Sequence, residues 1–174
     1  EARTFVETCL YQVSYDGLKM LGKIGGYTIG PYDIPGLIKD SGTSFWYYDQ
    51  GNIQPTLDQT KERLEHYIDE KLSECIDSFA HLKSLGYDVT EDQFNSEVFF
   101  AKDNVLVKLS YPLEIVWQEQ KQSLDSFAAT LNVRYRQIFE TATALNHWQM
   151  HEDFKVNDPL DGIESSLPEF TWSG

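Results

Sequence analysis

The chain has 174 residues, of which 41% are hydrophobic and 14% aromatic, so it can build one packed domain and is not wholly disordered. Its 28 acidic and 14 basic residues give a formal net charge of −14, which disfavours nucleic acids and anionic membrane surfaces as partners. Its apolar runs are too short to span a bilayer, and the sequence contains no nucleotide-binding, zinc-protease or serine-hydrolase motif.

The N-terminal third of the sequence predicts a helix, a loop and a short strand. Apolar side chains recur at helical spacing over residues 3–21, and Gly22 is the predicted end of this first helix. Glycine and proline are frequent from Gly22 to Gly36 and predict a loop. Residues Ser44–Asp49 predict a short aromatic strand that ends in a turn.

A second helix is predicted to begin after Thr56 and to end near Gly86. Thr56 and Gln59 have the spacing of a capping box, in which each side chain accepts a hydrogen bond from the other residue's backbone N–H. The acidic side chains of this helix are interpreted as its solvent-exposed face rather than as a paired-carboxylate site; they are Asp58, Glu62, Glu65, Asp69, Glu70, Glu74 and Asp77.

After Gly86 the apolar residues alternate, which is typical of strands. Val98–Ala101 and Val105–Leu109 predict a hairpin, and Pro112 predicts a bend or bulge because it cannot donate to a ladder. Third and fourth strands of this group are predicted at Leu113–Gln118 and Phe127–Val133.

A third helix is predicted from about Asn132 to His151, with five inward-facing side chains, Tyr135, Ile138, Phe139, Ala142 and Leu145. The elements together predict an α+β fold with three helices packed on an antiparallel sheet of about four to five strands. Residues 1–152 form the predicted single domain, and residues 153–174 are predicted to be an extended C-terminal tail.

The two cysteines, Cys9 and Cys75, each fall on the apolar face of a predicted helix. Their spacing fits neither a zinc site nor a redox motif, both of which need close pairs. The pattern leaves two alternatives open, one structural disulfide or two buried thiols. A disulfide would indicate a location outside the cytosol.

Two segments near the N-terminus, Phe5-Val-Glu-Thr-Cys9-Leu and Leu21-Gly-Lys-Ile-Gly-Gly-Tyr27, carry a family resemblance. They are similar to the extracytoplasmic part of uncharacterised membrane-anchored proteins of small DPANN archaea, and further patches of similarity lie at residues 55–75, 105–113 and 132–144. The resemblance implies a cell-surface location, attachment through an N-terminal hydrophobic helix ahead of this segment, and a bond between Cys9 and Cys75. It implies no catalytic residue.

Aromatic residues are the most unusual local feature of the sequence. Core packing is their default interpretation, and the alternative is a surface that contacts another protein, because Tyr and Trp are enriched at interfaces. The interface candidates are Tyr27, Tyr32, Trp46, Tyr48, Phe170 and Trp172. In the tail, the last two alternate with polar residues and predict a short strand that adds to a sheet of its own domain or of a neighbouring subunit.

His147 and His151 have the spacing of a two-histidine zinc face, but the general-base glutamate of zinc proteases is missing between them, so they are weak metal candidates. No cofactor is predicted and no catalytic residue is assigned. The favoured function is an extracytoplasmic, non-enzymatic domain that contacts proteins, chiefly copies of itself, as a surface or filament subunit. The alternatives are a small metal-dependent hydrolase that uses this histidine face, or a ligand-binding module with its pocket under the Gly22–Gly36 loop.

Overall fold

The structure is a computed structural model that describes residues 2–28, 42, 44–48 and 51–151, without the side chains of Tyr48 and His151. The predicted tail at 153–174 and most of the predicted glycine loop lie outside the described residues. The described elements confirm the α+β fold. In chain order they are α1 (Ala2–Ile24), β1 (Tyr47–Tyr48), β2 (Gly51–Asn52), α2 (Leu57–Ile76), α3 (Ala80–Ser84), β3 (Asp88–Glu91), β4 (Asn95–Phe100), β5 (Val105–Trp117), β6 (Gln120–Leu131) and α4 (Tyr135–His151).

Helix α1 continues past Gly22, where the sequence predicted its end, and stops at Ile24. The reason is that Gly25 and Gly26 have φ values of 74° and 90°, which other residues rarely adopt. The N–H of Gly26 donates to the carbonyl oxygen of Leu21 at 2.7 Å, which completes a glycine-based C-cap.

Helix α2 begins as predicted. The N–H of Gln59 donates to Thr56 Oγ1 and the N–H of Thr56 donates to Gln59 Oε1, so the capping box is confirmed. The predicted end near Gly86 is wrong, because the helix stops at Ile76. Asp77, Ser78 and Phe79 then adopt positive φ values of 47°, 48° and 58° and turn the fully buried Phe79 ring toward the rings of Phe5 and Tyr111.

The main sheet has four antiparallel strands, with the long strand β5 at its centre. β6 pairs along one side of β5, while β4 and β3 pair with successive parts of its other side. Between the pairs Ser110–Ser126 and Leu113–Leu124, β5 advances by one residue more than β6, so the predicted irregularity at Pro112 is confirmed as a bulge. The predicted third strand at 113–118 is the continuation of β5, and β3 was not predicted.

The helices cover one face of this sheet, with α1 on β6 and α2 on β4. Alternate residues of β5 from Val105 to Ile115 point into this layer and are buried, while the residues between them face the other side. The two helices approach closely at Gly17, which has no side chain to separate it from Leu64 and Tyr67 of α2. The core therefore lies between two helices and one face of the sheet.

Helix α4 packs beside this layer through part of its predicted face. Tyr135 and Phe139 are buried, but Ile138 and Leu145 are exposed, so their predicted inward orientation is wrong. Asn146 is buried instead, and its Nδ2 donates to Gln54 Oε1 at 2.9 Å. Polar bonding to the segment after β2 thus decides which face of the helix turns inward.

Candidate functional site

A disulfide joins Cys9 of α1 to Cys75 of α2, with the two Cα atoms 5.8 Å apart. This distance lies within the normal range for a disulfide. Of the two alternatives that the sequence left open, the disulfide is therefore confirmed. Structural disulfides are typical of oxidising compartments outside the cytosol.

Tyr27, the first of the predicted interface residues, belongs to the interior. Its side chain is only 4% exposed. Its hydroxyl donates to the carbonyl oxygen of Ile53 at 3.2 Å, and the guanidinium carbon of Arg63 lies 4.1 Å from the centre of its ring. The prediction that Tyr27 contributes to a surface is wrong, because its ring is used to hold the end of α1 against α2.

The aromatic segment at residues 45–48 places the interface candidate Trp46 partly inside the protein. Trp46 is half-buried, since its Nε1–H donates to the carbonyl oxygen of Gly25 at 2.8 Å and its ring lies 5.6 Å from that of Phe139. Phe45 and Tyr47 are the exposed residues, at 44% and 47%. The side chain of the candidate Tyr48 lies outside the described residues, as do Tyr32, Phe170 and Trp172.

The histidine face on α4 is described only in part. His147 is exposed, and the side chain of His151 lies outside the described residues. Among the side chains that the structure describes, no group of three or more His, Cys, Asp or Glu is placed to hold a metal ion. The metal-dependent hydrolase and the ligand pocket under the glycine loop stay predictions.

A cleft of about 460 Å³ lies beside the turn that joins β3 to β4, and Asp69, Glu91 and Tyr111 are among its lining residues. The Tyr111 hydroxyl donates to Glu91 Oε2. Burial and the adjacent carboxylate of Glu91 raise the pKa of this phenol, so it stays protonated. The hydrogen bond between neutral Tyr111 and the Glu91 carboxylate holds the wall of the cleft in place. A phenol that stays protonated is not an activated nucleophile.

The outer edge of strand β4 is capped by carboxylates of α2. The N–H of Val98 donates to Glu65 Oε1 at 2.8 Å, and the N–H of Ser96 donates to Asp69 Oδ1 at 3.0 Å. The Ser96 hydroxyl also donates to the backbone carbonyl oxygen of Glu65 at 3.2 Å. These bonds occupy the outward N–H groups of Ser96 and Val98, two of the donors that another strand would need, so they block pairing along this part of the edge.

The same bonds fix the direction of hydrogen bonding across the sheet. Val98 lies opposite Val107 and Ser96 lies opposite Leu109. Val98 and Ser96 direct their N–H groups away from β5. The pairs Val98–Val107 and Ser96–Leu109 are therefore non-hydrogen-bonded pairs of the antiparallel ladder. Val107 and Leu109 must then direct their own N–H and C=O groups toward β6.

On β6, the partners of those two β5 residues are Ala129 and Phe127. The backbone direction alternates along a strand, so the intervening residues direct their N–H and C=O groups away from β5. In the described part of the chain, no strand pairs with β6 on that side. The outward-directed residues, which we call the β6 edge, are Ser126, Ala128 and Thr130.

The β6 edge has almost none of the protection that β4 has. Among the described residues, the one side-chain hydrogen bond to this edge is donated by Arg3 Nη1 to the carbonyl oxygen of Ser126, at 2.9 Å. Residues 126–131 contain no charged residue and no proline, the two kinds of residue that usually prevent strand addition. All three residues of the β6 edge are solvent-exposed. It is therefore a ready template for another strand.

An exposed tyrosine pair lies on the helix next to this edge. Arg3, Glu7, Tyr11 and Tyr15 follow each other at four-residue spacing along α1, so they form one row on its surface. Arg3 touches the β6 edge, while Tyr11 and Tyr15 stack on each other with ring centres 6.4 Å apart and are 46% and 44% exposed. The row begins at the β6 edge and, two turns further along α1, carries aromatic surface of the kind found at protein interfaces.

Comparison with protein-family models, with curated proteins and with solved structures finds no match to this chain. None of the helices in the described ranges is both long and apolar enough to cross a membrane.

The sequence interpretation missed both edges of the sheet. Glu65 and Asp69 were assigned to a solvent-exposed face, which is wrong because both accept hydrogen bonds from β4. No local signal separates them from the other acidic residues of α2. The β6 edge did carry a signal, the uncharged run from Ser126 to Leu131, but its meaning depends on which strand lies at the edge of the sheet.

Proposed function

We propose that this chain is an extracytoplasmic interaction domain that associates with a second copy of itself through the β6 edge. The observation that carries the proposal is the difference between the two edges, since carboxylates bond to one and, among the described residues, a single side-chain hydrogen bond reaches the other. A domain that avoided all strand addition would protect both. The disulfide supports the extracytoplasmic location, and the resemblance to archaeal surface proteins remains a prediction that agrees with it.

The geometry of the edge favours antiparallel pairing of β6 with the β6 of a second copy. A two-fold axis beside Ala128 brings this residue opposite its own counterpart and brings Ser126 opposite Thr130. These residues all direct backbone groups outward, so each such pair can exchange N–H···O=C bonds in both directions. Their small side chains place neither like charges nor bulk across the axis.

The stacked tyrosines supply the apolar contact that a backbone ladder lacks. Tyr11 and Tyr15 lie on the helix that packs on β6, and the two-fold axis brings the α1 helices of both copies to the same side of the joined sheet. Aromatic side chains in such a position combine a large contact area with hydroxyl groups that remain hydrated.

The proposal is tested by placing a charge at the axis. Ala128→Lys puts two ammonium groups directly opposite each other, and like charges in facing positions destabilise strand pairing. Ser123→Lys is the matched control, because Ser123 is also exposed on β6 but lies five residues from the axis. Sedimentation of the wild-type protein and of both variants measures the association directly.

The expected result is a dimer of twice the 20.1 kDa chain mass for the wild type and for Ser123→Lys, and a monomer for Ala128→Lys. Within its own sheet Ala128→Lys faces Lys108 and Ser123→Lys faces Glu114, so Ala128→Lys should have the lower melting temperature. Both positions are solvent-exposed, so both variants should remain folded, and the melting temperatures check this. A wild-type protein that stays monomeric over the whole concentration range, or an Ala128→Lys variant that still dimerises, contradicts the proposal.

A further inference from the structure

A second cavity lies at the turn end of the β5–β6 hairpin, beside the first residue of α1 and beside α3. Its volume is about 390 Å³. The buried side chains of Leu82 and Ile115 line its apolar part, Tyr87 and Trp117 add aromatic surface, and Gln120 and Gln122 add amide groups. A pocket with apolar and aromatic lining and a few convergent polar groups is typical of small-molecule sites.

The rings of Tyr87 and Trp117 stack on each other. The ring centres of Tyr87 and Trp117 are 5.7 Å apart, and their planes differ by only 21°. Trp117 is 41% exposed, although Ile115, two residues earlier on the same face of the strand, is buried. Cages that bind quaternary ammonium groups enclose the cation with several aromatic rings, whereas two nearly parallel rings offer a single flat face. The stacked pair lacks the several rings that enclose such a group, and the exposed outer face of Trp117 can contact the flat side of a ring-shaped ligand.

The charge at this cavity is balanced. Lys121 is the cationic side chain among its described lining residues, and its Nζ forms an ion pair with the carboxylate of Glu114. Its charge is thus compensated by a residue of the protein, and the chain as a whole carries a net charge of −14. An anionic ligand would gain little here. The groups left for recognition are neutral, namely the aromatic face and the two glutamine amides.

We propose that this cavity binds one ring of a neutral saccharide. The apolar face of the sugar ring lies on the indole of Trp117, and the amides of Gln120 and Gln122 exchange hydrogen bonds with its hydroxyl groups. A primary amide both donates and accepts, which matches a hydroxyl group that does the same. The proposal is independent of the β6 edge, because the cavity is formed by the hairpin turn and not by residues 126–130.

The test uses the intact protein and nuclear magnetic resonance of its amide groups. Cellotetraose, maltotetraose and chitotetraose are added separately at millimolar concentration, with choline and glucose 6-phosphate as charged comparison probes. We expect at least one neutral tetrasaccharide to shift the side-chain amide signals of Gln120 and Gln122 and the indole N–H signal of Trp117. The two charged probes should leave these signals unchanged.

Variants identify the site. Trp117→Ala should weaken saccharide binding about tenfold, and Gln120→Ala with Gln122→Ala should weaken it by a similar factor, since each lost hydrogen bond is worth a few-fold in affinity. The glutamines are exposed, so their replacement leaves the fold intact even if the Trp117 variant is less stable. Tyr47→Ala removes an equally exposed aromatic residue elsewhere and should change nothing. Absence of shifts with all three saccharides, stronger binding of a charged probe, or unchanged binding by both site variants overturns the proposal.

Discussion

Gly17 of α1 lies directly against Leu64 of α2. A β-carbon built at Gly17 would lie 2.6 Å from Leu64 Cδ1 and 2.8 Å from Tyr67 Cδ1, well inside normal contact distance. Leu64 is fully buried, so it has little room to move. The close approach of the two helices therefore depends on the missing side chain at this position.

Replacing Gly17 with alanine overpacks the helix contact at a cost of about 1–3 kcal/mol, and the helix-propensity gain of about 0.5–1 kcal/mol offsets this only in part, so the free energy of unfolding should fall by up to about 2 kcal/mol. Gly22→Ala is the matched control in the same helix, since a β-carbon there meets nothing within 4 Å. It should raise stability by about 0.5–1 kcal/mol through helix propensity. Urea unfolding measures both, and equal effects of the same sign would show that the packing account is wrong.

The disulfide should contribute strongly to stability. Cys9 and Cys75 are 66 positions apart in the sequence, and closing a loop of that size restricts the unfolded chain by about 4 kcal/mol. Reduction, or the double replacement of both cysteines by alanine, should therefore lower the free energy of unfolding by a similar amount. Intact-mass measurement after alkylation of the native protein should find no free thiol; two alkylated thiols without reductant would contradict the bond.

The Asp69 cap on β4 should make the stability of the protein depend on pH. Burial raises the pKa of Asp69 above its ordinary 3.8, although the hydrogen bonds from Ser96 and the charge of His66 act in the opposite direction. The folded state therefore takes up the proton at higher pH than the unfolded state does. Protonation of Asp69 therefore stabilises the folded state. This stabilisation is fully present below pH 3.8, the ordinary pKa, and is lost as the pH rises through the pKa of Asp69 in the folded protein.

Asp69→Asn keeps an acceptor oxygen for Ser96 and removes this titration. The unfolding free energy of the wild type relative to Asp69→Asn should rise as the pH is lowered from neutral to about 4, which is close to the ordinary pKa of aspartate. Chemical denaturation at a series of pH values measures the difference. A difference that stays constant, or that falls on acidification, contradicts the assigned pKa shift.

Those parts of the fold that follow from short-range pattern could be predicted from the sequence. The capping box at Thr56 and the bulge at Pro112 each depend on a few adjacent residues. β3 could not be predicted, because Val89 is its one apolar residue and the segment is a strand only through pairing with β5. The left-handed turn at Asp77–Phe79 also carries no glycine, so no residue marks it. Its cause is the burial of Phe79 in a core built from distant elements.

The candidate site was harder to predict from the sequence than the fold, because it depends on contacts between residues that are far apart in the chain. An acidic residue such as Glu65 looks the same in sequence whether it faces water or accepts a hydrogen bond from Val98. The alternation of Ser126–Leu131 predicts a strand, but the sequence does not say that this strand lies at an edge. Edge position is a property of the whole sheet.

Deletion of residues 165–174 separates two ways in which the β6 edge could be used. The sequence predicts that Phe170 and Trp172 form a strand that adds to a sheet, either of the same domain or of a neighbour. If the two β6 strands pair directly, the shortened protein should remain a dimer by sedimentation. Loss of association at an unchanged melting temperature would contradict direct pairing and identify the tail as the added strand.

Cross-linking through Ala128 tests self-association at the β6 edge most directly. The two native cysteines are bonded to each other, so Ala128→Cys introduces the one free thiol of the chain. Directly opposed residues of an antiparallel pair have Cα atoms about 5.5 Å apart, which is within reach of a disulfide. Ser123→Cys is the control, because at about 3.3 Å per residue five positions on each strand separate its two copies by about 33 Å. Mild oxidation should convert Ala128→Cys, and not Ser123→Cys, into a covalent dimer on a non-reducing gel; a monomer for both variants, or equal cross-linking of both, would contradict pairing through the β6 edge.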